Sequence, residues 1–583
     1  MRVIITFILL SFAWTSTAQK ELFFQQMDSI RMEYRSEGKP LDSIDGIFLT
    51  QPNLRPGAGF GQTQEAFLAE NLFSNNAGFA YLNPKSKVTP KFSGIPYLGF
   101  QYAFGSKLTQ DLNVEYQQFY QPNTHLHFRY NRKSGNGFLR NSDYKLNDVH
   151  LRFYHQKNWY ATNFEGFYGA YNLSQNRGIA TDTLLDEFAI EFTPVRQDNS
   201  ASKMRTLDLK WDNFFKLFGS DSTASFGLKS RHQFELVNRE FSEFLIDPTI
   251  VDTFYLDTSG QTRDQFQTAK LSNGAGVYFS SKFFKVDASI NHQYWKNQNS
   301  GVTRGDTNEI FIHSNLWTAL GERISLHNEF YFNLIGATGE IREYAQLKFK
   351  VLDNLGVHAK LNFENLYPTP YQRFHSANYY QWKIDNLKMQ QKLQIIGGIK
   401  YGKKNFVQAD LIWTNINNGR YFINNEWRQD TLEFVSVGAL NVKGAYHIKK
   451  FSFYPSATLR FNSANFNYQP VFSTLNRIAF TTQLFKAQKL GMSVGVDVGY
   501  ETSYNHMMYN GVLDLYELAL IPEQTKDLLK LNAFLALSID EFRFFVRAEN
   551  LSSLFQDAKT RIDYNYPMMP FLMRVGITWD FFN

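Results

Sequence analysis

One pattern constrains this chain more than any other. From Ile95 to the C-terminus, apolar and polar residues alternate with a period of two, again and again. In Thr124–Asn131, Leu126, Phe128 and Tyr130 fall on one face and His127, Arg129 and Asn131 on the other. Phe284–Ile290, Leu355–Phe363, Met492–Val498 and Phe542–Ala548 repeat the pattern. Successive side chains of a strand point to opposite faces, so each segment reads as a strand with one apolar and one polar face. About 22 such segments can be marked, each close to the ~9–11 residues that a tilted strand needs to cross a membrane. They start near Ile95, Leu112, Thr124, Val149, Trp159, Arg205, Ser225, Gln265, Phe283, Glu309 and Arg323. The others start near Arg342, Leu355, Leu387, Phe406, Phe434, Phe451, Leu475, Leu490, Leu528, Phe542 and Phe571.

The connections sort by parity. After even-numbered segments they are tight, as at Lys157-Asn158, Gly321-Glu322, Asp353-Asn354 and Asp540-Glu541. After odd-numbered segments most are long, as at Ser134 to Asn147, Ser174 to Met204, Asn238 to Asp264 and Thr502 to Asp527. Ser106 to Thr109 and Ala337 to Glu340 are short exceptions. Short turns on the periplasmic side and long loops outside are the habit of outer-membrane barrels. The parity predicts an all-β, antiparallel up-and-down transmembrane barrel of about 22 strands (range ~16–24), with both termini in the periplasm.

Composition agrees. Aromatic residues make up 17% of the 583, more than a soluble core needs but in keeping with a lipid-facing wall and two interfacial belts. The absence of cysteine excludes disulfides, thiolate nucleophiles and cysteine-held metal clusters. A formal charge of +6 over this length gives no footprint for nucleic acid. Met1-Arg2, the apolar run Val3–Ala13 and Ser16-Thr17-Ala18 predict a signal peptide over residues 1–18. After Gln19 no apolar stretch reaches the ~18 residues of a spanning helix. Residues 19–94 form a separate N-terminal segment, periplasmic or folded into the lumen, and residues 95–583 form the barrel. An open barrel of this size would leak, so that segment or the loops Thr183 to Ser202 and Phe241 to Arg263 should partly fill it.

The polar faces nominate the lumen wall. The candidates are His127, Arg129, His150, Arg152, Arg231, Asp287, Glu329, Lys360, Asp497, Arg543, Arg547 and Arg574. Rings of such charges set ion preference in pores, and the basic residues among them leave a mild anion preference open. His125 and His127 share a face, with His150 on the next strand. Such pairs can hold zinc or copper, but no third ligand is placed, so no metal or other cofactor is expected. No Gly-x-Ser-x-Gly, His-Glu-x-x-His or phosphate-binding loop is present, and the chain reads as a non-enzyme. The last segment alternates to its end, and Trp579, Phe581 and Phe582 form a C-terminal insertion signal for the barrel-assembly machinery.

Three stretches carry a resemblance: Pro122–Phe128, the Gly135-Asn136-Gly137 loop and Asn172–Ile179. Together they resemble the Bacteroidota "putative porin" family. Asn123 and Arg177 depart from its usual aromatic and glycine. Val546–Leu551, Tyr566–Pro570 and Arg574–Trp579 resemble the closing strands of TonB-dependent receptors, whose plug domain is longer than residues 19–94. The first resemblance implies a passive outer-membrane channel of a Gram-negative bacterium for small hydrophilic solutes. The alternative is a non-conducting or gated barrel that serves as a receptor or as part of an uptake or secretion machine. The partners expected are outer-membrane lipid, the assembly machinery and the solutes.

Overall fold

The computed structural model describes residues 96–583, except 122, 182, 221–223, 245–260, 282, 301, 304–306, 322, 430–433, 464–466, 486–488, 519–522, 558–559, 564–565 and 583. The signal peptide and the segment 19–94 therefore lie outside the described residues.

Twenty-two strands, numbered here in chain order, close into one antiparallel barrel. The first eleven are β1 (Tyr97–Gly105), β2 (Thr109–Gln121), β3 (Thr124–Gly135), β4 (Tyr144–Gln156), β5 (Tyr160–Gln175), β6 (Ser200–Ser220), β7 (Ala224–Phe244), β8 (Gln261–Ser281), β9 (Phe284–Asn299), β10 (Thr307–Leu320) and β11 (Ile324–Ile335). Then follow β12 (Ile341–Leu352), β13 (Leu355–Leu366), β14 (Gln390–Gly402), β15 (Phe406–Asn417) and β16 (Phe434–Ile448). Strand β17 consists of Phe451–Tyr454 and Ser456–Asn462, interrupted at Pro455, which has no N–H to give to a ladder. The last five are β18 (Phe472–Leu484), β19 (Leu490–Glu501), β20 (Leu528–Ile539), β21 (Phe542–Glu549) and β22 (Leu572–Phe582). A two-residue piece, Val302–Thr303, extends the β9–β10 hairpin.

Each strand pairs with its neighbours in sequence, and β1 closes on β22 from Tyr97↔Phe582 to Gly105↔Arg574. Closure matters energetically. In hydrocarbon an unpaired N–H or C=O costs several kcal/mol (order ~2–7), so only a sheet without edges can cross. The alternation supplies the other half of the argument. Phe153, Trp211, Leu228, Ile290, Leu347, Ile395, Leu411 and Ile478 stand exposed on the outer face. Their sequence neighbours turn inward. Aromatics gather at the short-turn end: Trp159 stacks on Phe215 at 6.4 Å between ring centroids, Phe542 meets Trp579 edge-on at 5.5 Å, and Trp579 stacks on Phe581 at 4.2 Å. These amphipathic rings form an interfacial belt.

Every one of the predicted segments corresponds to a barrel strand, but several strands are longer than predicted. Strands β6, β7 and β8 each run 21 residues, about twice the membrane requirement. The alternation marked β6 only from Arg205 and β8 from Gln265, whereas pairing begins at Ser200 and Gln261. Outside the membrane the outer face no longer needs apolar residues. Ser200–Lys203 and Gln261–Gln265 therefore pair without displaying the pattern.

Candidate functional site

The inner wall carries its charges mostly in pairs. Near the seam, Asp497 accepts from Arg477 Nε at 2.6 Å and from Arg547 Nη2 at 2.9 Å. Arg547 and Arg574 lie directly opposite each other on β21 and β22. Glu549 separates these two cations, with Nε of Arg574 at 3.0 Å and Nε of Arg547 at 3.4 Å. Arg547, Arg574 and Asp497 are each only 1% exposed, so the pairing is obligatory: a buried charge without its partner costs ~3–5 kcal/mol. Arg543 sits lower on β21, half-buried, opposite Ser538 and Thr578.

Next along the wall, His127 is fully buried and its Nε2 meets Glu115 Oε1 at 3.1 Å. His150 stands beside it, ring to ring at 5.8 Å. Arg129 faces Asp148 at 3.8 Å, and Arg152 donates to Asn163 at 2.7 Å with Glu165 at 3.6 Å. A third group lies on β6, β7, β9, β10 and β11. There Arg231 donates to Asp212 at 2.8 Å, Lys229 pairs with Asp287, and His313 meets Glu329 at 3.2 Å. Lys360 belongs to none of these groups and sits on β13 between Gln346 and Ile396. Among the described residues no cluster of three or more His, Asp and Glu side chains is arranged to hold a metal ion.

Sequence reasoning missed the second part of the site. The long loops fold over one end of the barrel and share apolar cores. The hub is a hairpin, Met507–Asn510 with Leu515–Leu518, in the loop between β19 and β20. Leu513 and Leu515 pack with Trp382, Phe422 and Trp427 from two other loops. Tyr509 joins Phe138, Ile179, Tyr566 and Met569, with Leu185, Ile190 and Val195 around them. Val512 packs on Phe241 and Tyr379. The loop 176–199 thus contributes to the cover, while 245–260 lies outside the described residues.

The hairpin tip reaches the barrel wall. Asp514, 1% exposed, accepts from Tyr171 of β5 and from its own Tyr509 at 2.7 Å. Ser202 of β6 donates to the Gly511 carbonyl at 3.1 Å, and Arg239 of β7 to that of Val512. Within the tip, the Asn510 side chain accepts from the Val512 and Leu513 amides, both at 3.1 Å. It thereby pre-forms the turn by the usual Asx geometry. Asp514 takes a left-handed φ of 58°, which Asp tolerates better than most residues. The tip spans from β20's side of the mouth to β5–β7, and so lies across the opening. Glu517, on the same hairpin, has its carboxyl pushed up to about 7, first by burial, with Asn510 and Arg177 pulling the other way.

A family model described as "Putative porin" matches residues 63–583. The chain belongs to this family. It is an outer-membrane β-barrel of a transport family. No curated protein matches the sequence. Three solved structures share the architecture. The siderophore receptor PirA from Acinetobacter baumannii has a TM-score of 0.56 at 8% identity, covering 84% of this chain and 80% of that one. The copper transporter OprC has 0.58 at 10%, covering 83% and 81%. A mutant of the ferric enterobactin receptor PfeA from Pseudomonas aeruginosa has 0.57 at 9%, covering 83% and 80%. At such identities the likeness concerns the fold: a large barrel of the TonB-dependent receptor kind.

Proposed function

We propose that this family member is an outer-membrane channel for small hydrophilic solutes, and that its folded loop cap gates the extracellular mouth. The observation that carries this reading is the buried hairpin tip, hydrogen-bonded through Asp514, Val512 and Gly511 to β5, β6 and β7. A polar, ion-paired wall suits water and solutes, and a latch across the mouth suits conditional passage. The lumen candidates would then act as a charged lining, and no chemical step is assigned to them. Residues 19–94 would stand at or inside the periplasmic mouth, where the chain enters β1 beside the C-terminal strand. The signal peptide and recognition of Trp579, Phe581 and Phe582 by the assembly machinery belong to the same reading.

Planar-bilayer recording tests it. The full chain should show low or intermittent conductance, and deletion of residues 507–518 should raise it severalfold. Silence in both, and after further deletion of residues 20–94, sinks the channel. The architecture shared with PirA and OprC supports the second reading, a gated receptor or uptake component, which that silence would favour.

A further inference from the structure

We infer that the lumen contains an anion-binding arc of lysines on β12–β16, close to the short-turn end, and that the solutes passed or held there are small carboxylates or phosphates. The inference rests on the channel reading for its role in transport but not for binding itself.

The arc follows from register. Lys350 pairs with Gly356, Gly356 with Lys400, Lys400 with Gln408, and Gln408 with Lys443. One rung across five strands thus carries a lysine on every second strand. Neighbouring strands lie ~4.8 Å apart, so these lysines are spaced about 10 Å along the wall. Lys348 stands one inward position above Lys350, and Lys360 lies opposite Gln346, one inward position higher again. All five face inward, because Leu347, Phe349, Val357, Ile399 and Val442 beside them are exposed on the outer face.

Carboxylates are fewer than lysines on this part of the wall. From the rung of Lys360 down to the tight turns, the inner face of β12–β16 has one carboxylate, Asp410. It is engaged with His358 at 3.1 Å and Gln408 at 2.8 Å. Asp353, in the turn after β12, takes Lys350 at 2.8 Å. Lys400 lies over the Phe406 ring at 4.4 Å, a contact that leaves its charge intact. Elsewhere on the wall most cations are countered by acids and many are buried, whereas Lys348, Lys400 and Lys443 are exposed. Gly356, between Lys350 and Lys400, adds no side chain to the rung, and a Cβ there would meet only the Phe349 carbonyl at 3.8 Å. Rings of Lys or Arg select anions in pores. A concave, single-sign surface concentrates counter-ions by about tenfold or more at low salt, and the effect fades as the Debye length shrinks to ~3 Å at 1 M.

Two measurements on the full chain test the arc. Liposomes bearing the protein are challenged with glucose and gluconate, which share a carbon skeleton and differ in charge. The variant K348Q/K350Q/K400Q/K443Q should lower the gluconate-to-glucose entry ratio severalfold at low salt, and K270Q/E235Q, which removes a paired cation and anion elsewhere, should not. Separately, inorganic phosphate should slow acetylation of Lys348, Lys400 and Lys443, read by mass spectrometry, while leaving Lys157 in an exposed turn unaffected. An unchanged entry ratio where glucose enters, or equal acetylation with and without phosphate, overturns the arc. Failure of glucose itself to enter counts against the channel instead, and the acetylation result then decides the arc alone.

Discussion

At the scale of single residues, the seam of the barrel is fitted with glycine–aromatic pairs. Gly576 of β22 faces Phe545 of β21, and Gly495 of β19 faces Phe534 of β20. Both rings lie buried over the missing side chain, with Ala103, Ala479 and Ala536 completing a small apolar patch. A Cβ on Gly576 would meet Phe545 Cζ at 2.5 Å and the Tyr102 carbonyl at 2.8 Å. The backbone oxygen cannot yield cheaply, so Gly576→Ala should destabilise the barrel by about 1–3 kcal/mol, the usual cost of overpacking. A lower midpoint for loss of the compact, heat-sensitive band on a denaturing gel would show it, and an unchanged midpoint would refute it. Glycines at these positions are visible in the sequence. What each one accommodates is not, because the ring comes from another strand.

At the scale of elements, the strands and the cap obey different rules. Strands need only local alternation, and so they could be marked one by one. The cap assembles from loops that are far apart in the chain, with Trp382, Phe422, Trp427 and Leu513 in one core and no period to announce it. Its hairpin is also the element whose ionisation matters. The Glu517 carboxyl is raised from 4.5 to about 7. A raised folded value means stability that is full below the unfolded value and lost as pH rises through the folded one. The cap should therefore loosen between about pH 4.5 and 7 on account of this group. His375, buried in the neighbouring loop and lowered to about 3 by burial and then Arg239, acts oppositely, weakening the cap as pH falls below 6.5. Comparison with Glu517→Gln separates the two. The variant's cap should resist limited proteolysis better than wild type at pH 8 and lose that advantage at pH 4.5. Equal cleavage of both proteins at pH 8 would rule this out.

At the scale of the whole molecule, one closed sheet uses most of the described chain. Its last pairing joins the two ends, β1 to β22, so the sheet remains open until the C-terminal strand arrives. Trp579 is 42% exposed on the outer face, and Phe581 stacks on it, at the level of the short turns. Trp579→Ala/Phe581→Ala should thus leave most of the protein unassembled. Envelope fractions would contain little heat-modifiable barrel, while normal amounts of it would deny these aromatics a part in assembly.

The lumen shows how far such reading extends. Alternation nominated Arg547, Arg574 and Asp497 as inward residues, and register explains why they occur together. Arg547 sits opposite Arg574, and both depend on acids from β19 and β21. The same nomination of Lys360 gave no hint that Lys350, Lys400 and Lys443 fall on one rung. A strand's sequence reports which face a side chain takes, while its height relative to other strands depends on turn length and pairing summed around the sheet.

By itself, the sequence determined the strand number, the antiparallel order and the membrane. The reason is that a strand in lipid must show its apolar face to its surroundings, residue by residue, and must connect at alternate ends. Only the tertiary structure decided which charges meet, that lysines gather on one side of the wall, and that the mouth is covered by a hairpin anchored through Asp514. Those outcomes depend on register and on contacts between distant loops, and neither leaves a local trace in the chain.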